Sequence, residues 1–117
     1  MSTVTVIIQS APYRDDNKAW DGLRFAGAAL TEDLQVQVHL LDVGVEMARR
    51  GHQVPDGAAD LEQLLGQLME CGLRVSACGK ALDAFGLSDD ALIAGIERGS
   101  MKSLAALVHE SHAVLTF

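Results

Sequence analysis

Along this chain the spacing of apolar positions switches repeatedly between a period of two and one of about 3.6, which predicts strands alternating with helices. The run "TVTVIIQ" at 3–9 is short, rich in β-branched residues and closed by the turn-forming "SAPYRDDN", so it predicts a buried strand. Asp15, Asp16 and Asn17 offer N-caps for a helix running to about Thr31, with Trp20, Leu23, Gly27 and Leu30 along one stripe. A second strand is expected at 36–42, where Val36, Val38 and Leu40 alternate against Gln37 and His39.

"VGVEMARRG" then predicts a short helix stopped by Gly51, and "HQVPDG" a loop. The clearest helix is "ADLEQLLGQLMECG": Leu61, Leu64, Leu65 and Leu68 fall at i, i+3, i+4 and i+7, and Gly72 stands where a helix-ending glycine belongs. "LRVSA" at 73–77 predicts strand three, followed by the glycine-punctuated loop "CGKALDAFG". A helical turn capped by Ser88 leads to a very short extended segment around Ile96 and Glu97. Ser100 caps a last helix with Met101, Leu104, Ala105 and Val108 inward, and "AVLTF" ends the chain as a strand. Elements in this order predict a three-layer α/β/α sandwich around a mostly parallel sheet.

Composition narrows the function. A chain of 117 residues with 49% apolar content is expected to form one domain over 1–117 that needs no metal or disulfide staple. A net charge of −7 with only Arg49 and Arg50 adjacent among the basic residues excludes a nucleic-acid partner, which demands clustered cations. No stretch approaches the roughly 20 apolar residues of a membrane span, the amino terminus lacks a signal-peptide pattern, and two cysteines without a secretory signal fit a reducing compartment. A cytoplasmic protein without membrane partner is the expectation.

In an open parallel sheet the chemistry gathers at the carboxyl ends of the strands. Three segments lie there: "SAPYRDDN", "DVGVE" and "CGKALDAFG". "SAPYRDDN" has no glycine and supplies no phosphate cradle. Asp15, Asp16, Asp89 and Asp90 stand at helix starts, where capping accounts for them. His109 and His112 are spaced i, i+3 without further ligands, so no metal and no cofactor is expected. Tyr13, Arg49 and His52 sit in segments that can line a site.

The two cysteines differ. Cys71 continues the leucine stripe near the end of its helix and reads as a core or helix-end thiol. Cys78 follows strand three, beside Gly79 and two residues before Lys80; amide dipoles and a nearby cation favour the thiolate, the reactive species. The opposing reading is a buried small hydrophobe, since free cysteine is among the most buried residue types. An extended 73–77 segment holds the two thiols roughly 15 Å or more apart, whereas a disulfide needs Cα atoms within about 7 Å. Ala81 stands where a C-x-x-C motif would need its second thiol.

Taken in order, "APY" (11–13), "GLRFAGAAL" (22–30), "MARRG" (47–51), "RVSACGKALDAFGL" (74–87), "LIAGIERGSMKSLAAL" (92–107) and "AVLTF" (113–117) resemble the DsrE/DsrF-like family, YchN-like branch, over nearly the whole chain. The resemblance implies a five-stranded parallel sheet between helical layers and assembly into homotrimers or homohexamers. It also implies a sulfur carrier, in which a cysteine matching Cys78 takes up sulfane sulfur from a donor protein as a persulfide and passes it to an acceptor protein. YchN-like relatives often carry a second cysteine at the position of Ala81 and an arginine at that of Phe85, which leaves Lys80 as the cation beside Cys78. The alternative is a homo-oligomeric binding module for a small anion or protein partner, with Cys78 structural.

Overall fold

Every neighbouring strand pair in the computed structural model, which describes residues 2–14 and 16–117, is parallel. Strands β1 (Thr3–Ile8), β2 (Gln35–Leu40), β3 (Arg74–Cys78), β4 (Glu97–Gly99) and β5 (Ala113–Thr116) lie in the order β4-β3-β2-β1-β5. Helices α1 (Lys18–Thr31), α2 (Leu61–Glu70), α3 (Gly79–Ala84) and α4 (Met101–Glu110) connect them. From β1 to β4 the chain steps across the sheet in one direction, so right-handed crossovers place α1 and α2 on one face; the return from β4 to β5 places α4 on the other. The packing agrees. Helix α1 touches β1, β2 and α2, and Ser111, just past α4, hydrogen-bonds Thr5 on the opposite face of β1. The result is the three-layer α/β/α sandwich that the order of elements predicts.

Alternation along the strands sorts the side chains. Val4, Val6, Ile8, Val36, Val38, Leu40, Val75 and Ala77 form the core beneath α1 and α2. Thr5, His39 and Ser76 stand on the α4 face. His39 belongs to the polar set that the pattern assigns it to, yet it is fully buried, with Nδ1 2.8 Å from Ser76 Oγ. Burial holds its imidazole pKa below the ordinary value.

Two helical stripes differ from expectation. In α1 the buried residues are Ala19, Gly22, Leu23, Ala26 and Ala29, while Trp20, Gly27 and Leu30 flank them half-buried. Small residues let α1 lie close to β1: a Cβ on Gly22 would stand 2.9 Å from Ile8 Cδ1. In α4 only Leu104 is buried, and Met101 and Val108 remain 61% and 39% exposed, with Ala105 also exposed. Among the described residues α4 packs mainly on β1 of the sheet, which covers only part of the stripe.

Helix ends follow local chemistry. Asp60 accepts from Gln63 N–H at 3.0 Å, and Ser100 and Ser103 form a reciprocal capping box at the start of α4. Gly72, at φ +107, ends α2 with Gly72 N–H on Met69 O and Leu73 N–H on Leu68 O, a Schellman arrangement. The helix stops at Glu70, so Cys71 turns to solvent instead of continuing the leucine stripe. Asn17 and Ser88 precede helical turns without a side-chain cap; Asp16 accepts from Lys18 N–H at 3.2 Å instead, and Asp15 lies outside the described residues.

The segment expected as a short helix at 43–51 is a run of 3-10 turns, Asp42–Ala48, after which Arg49 bridges Leu92. Backbone proximity forces this course: a Cβ on Gly44 would lie 2.1 Å from the carbonyl oxygen of Ile8. The glycine-punctuated loop after strand three is helix α3, ended by Gly86 at φ +70 with Gly86 N–H on Asp83 O and Leu87 N–H on Leu82 O. Buried Leu82 and Leu87 anchor it, two apolar positions too few to show a period in the sequence.

Gly44→Ala is expected to destabilise the fold by about 2 kcal/mol or more, because backbone rather than a flexible side chain blocks the methyl group. Denaturant unfolding with an unchanged midpoint would contradict the close approach. The lowered pKa of His39 gives a second expectation. Its contribution to stability is complete above the unfolded value of about 6.5 and is lost as pH falls through the lower folded value. Between about pH 6.5 and 5 the wild-type midpoint should therefore fall more steeply than that of His39→Gln; parallel profiles would contradict a buried neutral imidazole.

Candidate functional site

Strand β3 is the second strand from one edge of the sheet, and its last residue, Cys78, pairs in register with Gly99 of β4. The chain leaves Cys78 in an extended conformation and enters α3 at Gly79 without an intervening loop. Cys78 is 6% exposed, whereas Lys80 in the first turn of α3 is exposed. Cys71 lies at the far end of β3 beyond Gly72, so the two thiols occupy opposite ends of the strand.

The strongest electrostatic feature beside Cys78 comes from Arg98, which sequence reasoning did not single out. From β4 its Nη1 donates to the Gly79 carbonyl at 3.1 Å and to Asp83 at 3.0 Å, Nε donates to Asp89 at 3.0 Å, and Nη2 donates to the Leu87 carbonyl at 3.2 Å. Both carboxylates hold the guanidinium pKa above its ordinary value, Asp89 most strongly. One side chain thus ties together the Gly79 carbonyl, helix α3 and the loop behind it. Gly79 permits this closeness, since a Cβ there would meet Arg98 Cγ at 3.2 Å and the Gly99 carbonyl at 3.2 Å. The signal available in sequence was only an arginine next to a glycine in a three-residue strand.

Tyr13, Arg49 and His52 come together elsewhere on the same end of the sheet. They line a cavity of about 650 Å³ between the 11–14 segment after β1 and the 43–55 segment after β2, joined by Arg14, Glu46 and Phe85. Cys78, Gly79 and Lys80 do not line it. His52 Nε2 lies 3.0 Å from the Met47 carbonyl; a carbonyl only accepts, so this nitrogen carries the proton. In neutral His52, Nδ1 then accepts from the Tyr13 hydroxyl at 2.9 Å, and the Tyr13 oxygen accepts from Leu61 N–H at 3.1 Å. Burial raises the phenol pKa, helped by Asp60 and Glu62 and opposed by the Leu61 bond.

Glu62 completes this knot. It accepts from His52 N–H at 2.8 Å and from Gly51 N–H, and these bonds hold its carboxyl pKa below the ordinary value. Arg49 pairs with Glu46 at 3.0 Å, which raises the guanidinium pKa. His52, expected in a solvated loop, is therefore half-buried and bonded through both ring nitrogens, while Arg49 remains exposed. Tyr13 adopts φ 61, a left-handed conformation rare for an aromatic residue. Among the described residues no three His, Cys, Asp or Glu converge as a metal cluster, and no helix is long and apolar enough to cross a membrane.

Known proteins share this arrangement. The chain is 40% identical over 113 residues to an uncharacterised protein of Methanocaldococcus jannaschii, with 97% of each chain covered. It is 38% identical over 117 residues to an uncharacterised protein of Methanopyrus kandleri, covering 100% of this chain and 95% of that one. The crystal structure of the YchN protein of Escherichia coli superposes over 100% of both chains with a TM-score of 0.92 at 28% sequence identity. The family model described as DsrE/DsrF-like matches residues 2–117. With a five-stranded parallel sheet, a cysteine closing its third strand and a family match along nearly its whole length, the chain belongs to the DsrE/DsrF-like family.

Proposed function

We propose that this protein is a cytoplasmic sulfur carrier that relays sulfane sulfur as a persulfide on Cys78. The observation that carries the reading is the position of Cys78: it closes β3 at the carboxyl end of the sheet, and Arg98 holds the Gly79 carbonyl. Family membership supports it. In the forward step the Cys78 thiolate attacks the sulfane sulfur of a donor protein's persulfide. The new bond is Cys78 Sγ–S, the broken bond is the donor's S–S, and the donor leaves as a thiolate. An acceptor thiolate then removes that sulfur by the same exchange, so no external oxidant or reductant enters.

Lys80 is the cation proposed to stabilise the terminal sulfur, in place of an arginine at position 85. Assembly as a homotrimer or homohexamer belongs to the same proposal. Exposed Met101, Val108 and Val114, together with a face covered by α4 alone, provide apolar surface for subunit contacts. A specific observation favours a second reading. Cys78 is buried, with 6% of the residue exposed, as expected of a structural thiol in a homo-oligomeric binding module.

The test uses the Cys71→Ala background, because Cys71 is exposed and would react nonspecifically. After treatment with a protein or low-molecular-weight persulfide, intact mass should rise by one sulfur atom, and this gain should vanish in Cys71→Ala/Cys78→Ala. No added sulfur, or equal addition to the double variant, overturns the carrier reading. Native labelling of Cys78 no faster than in the denatured chain favours the structural thiol. Sedimentation of monomer alone at micromolar concentration overturns the assembly.

A further inference from the structure

The cavity beside Tyr13 has features that persulfide transfer at Cys78 leaves without a role. Its wall is mixed: Ala11, Pro12, Val43 and Pro55 supply apolar surface, with Phe85, 37% exposed, while Arg14, Glu46, Arg49 and Gln53 supply polar groups. A second cavity of about 360 Å³, reaching Trp20, shares Ala11, Tyr13, Arg14 and Pro55 with it, so the cleft runs past the phenol ring. The volume of about 650 Å³ lies within the range of small-molecule sites, roughly 300–1,000 Å³.

The polar groups in the wall divide in two. Tyr13 and His52 spend their hydrogen-bonding atoms on each other, on Leu61 N–H and on the Met47 carbonyl. They shape the wall without offering it to a ligand. Arg14 and Arg49 supply cations, and Glu46 neutralises one of them by engaging Arg49 through Nε and Nη2. Nη1 of Arg49 lies outside that pair. Among the lining residues Arg14 and Arg49 exceed Glu46 by one charge, while Asp60 and Glu62 add negative potential behind the Tyr13 phenol.

The backbone is also under constraint here. Tyr13 holds φ 61, in the left-handed region, while its hydroxyl makes two hydrogen bonds. Those bonds set the ring upright between the two cavities. Loop 51–52 is tied to α2 through Glu62, so the facing wall is fixed as well.

We propose that this cleft is a binding site for a small organic monocarboxylate with a compact aromatic or branched apolar body. The carboxylate meets Arg14 and the outward nitrogen of Arg49, a match of planar fork to planar oxyanion. The apolar body lies between Tyr13, Pro55 and Phe85, where ring contacts add to burial. The site is separate from Cys78, so it stands whether or not the thiol carries sulfur.

Titration of the full chain with benzoate, benzamide and phenyl phosphate tests it, read by amide chemical shifts and thermal stability. Benzoate should raise the unfolding temperature and shift the amides of Tyr13, Arg49 and Phe85. Arg14→Gln, at an exposed position, should weaken benzoate about tenfold, and Arg49→Gln similarly. Benzamide, equal in shape but uncharged, should bind at least about tenfold more weakly than benzoate. Equal binding of benzamide and benzoate, unchanged affinity in a folded Arg14→Gln, or shifts confined to other parts of the chain would overturn the proposal. Tighter binding of phenyl phosphate than of benzoate would overturn the assignment to monocarboxylates.

Discussion

A parallel sheet must be covered on both faces, because its crossover helices leave apolar side chains on each face to be shielded from water. This chain meets the requirement unequally. Helices α1 and α2 seal one face over a wholly apolar core, while the other receives only α4. The difference is written into the strands. Toward α1 they present valine, isoleucine and leucine; toward α4 they present Thr5, bonded to Ser111, and His39, whose Nδ1 meets Ser76 while its buried Nε2 has no partner among the described residues. Polar pairs allow a thin covering layer to suffice where apolar side chains would need a second helix.

The carboxyl edge of the sheet depends on that rigid platform. Two knots of hydrogen bonds organise it: Arg98 gathers α3 and the following loop beside Cys78, and Tyr13, His52 and Glu62 fasten the 51–62 segment beside β1. Each knot joins segments far apart in sequence. Individually exposed ion pairs such as Arg49–Glu46 contribute little. Backbone carbonyls and amides held by one side chain do more, because they convert irregular segments into walls of defined shape.

The sequence was legible where a local rule had no competitor. The helix at 61–70 announces itself through its leucine spacing and Gly72, and Ser100 starts its helix as expected. The succession of strands and helices and the position of Cys78 at the carboxyl end of strand three followed from the alternation of periods. Misreadings arose where tertiary contact overrode local preference. The polar character of His39 does not reveal burial, which depends on Ser76 across the sheet and on α4 above it. The 43–51 segment has helical composition, but the approach of Gly44 to Ile8 imposes tighter turns. Tyr13, Arg49 and His52 were separately visible as candidates. Their meeting around a cleft distinct from Cys78 depends on long-range hydrogen bonds that no spacing encodes.

The latch made by Arg98 has a consequence for how the molecule opens. Strand β4 is an edge strand of three residues, too short to be held by its ladder alone, and its arginine reaches across to Gly79, Asp83, Leu87 and Asp89. Fraying of the edge therefore releases α3 as well, so residues 79–99 behave as one cooperative unit of local unfolding. Amide protons in that stretch would exchange with solvent together, at a free energy below that of β1 and β2 at the centre. Cys78, 6% exposed, borders this unit, so opening of the edge would widen access to its sulfur.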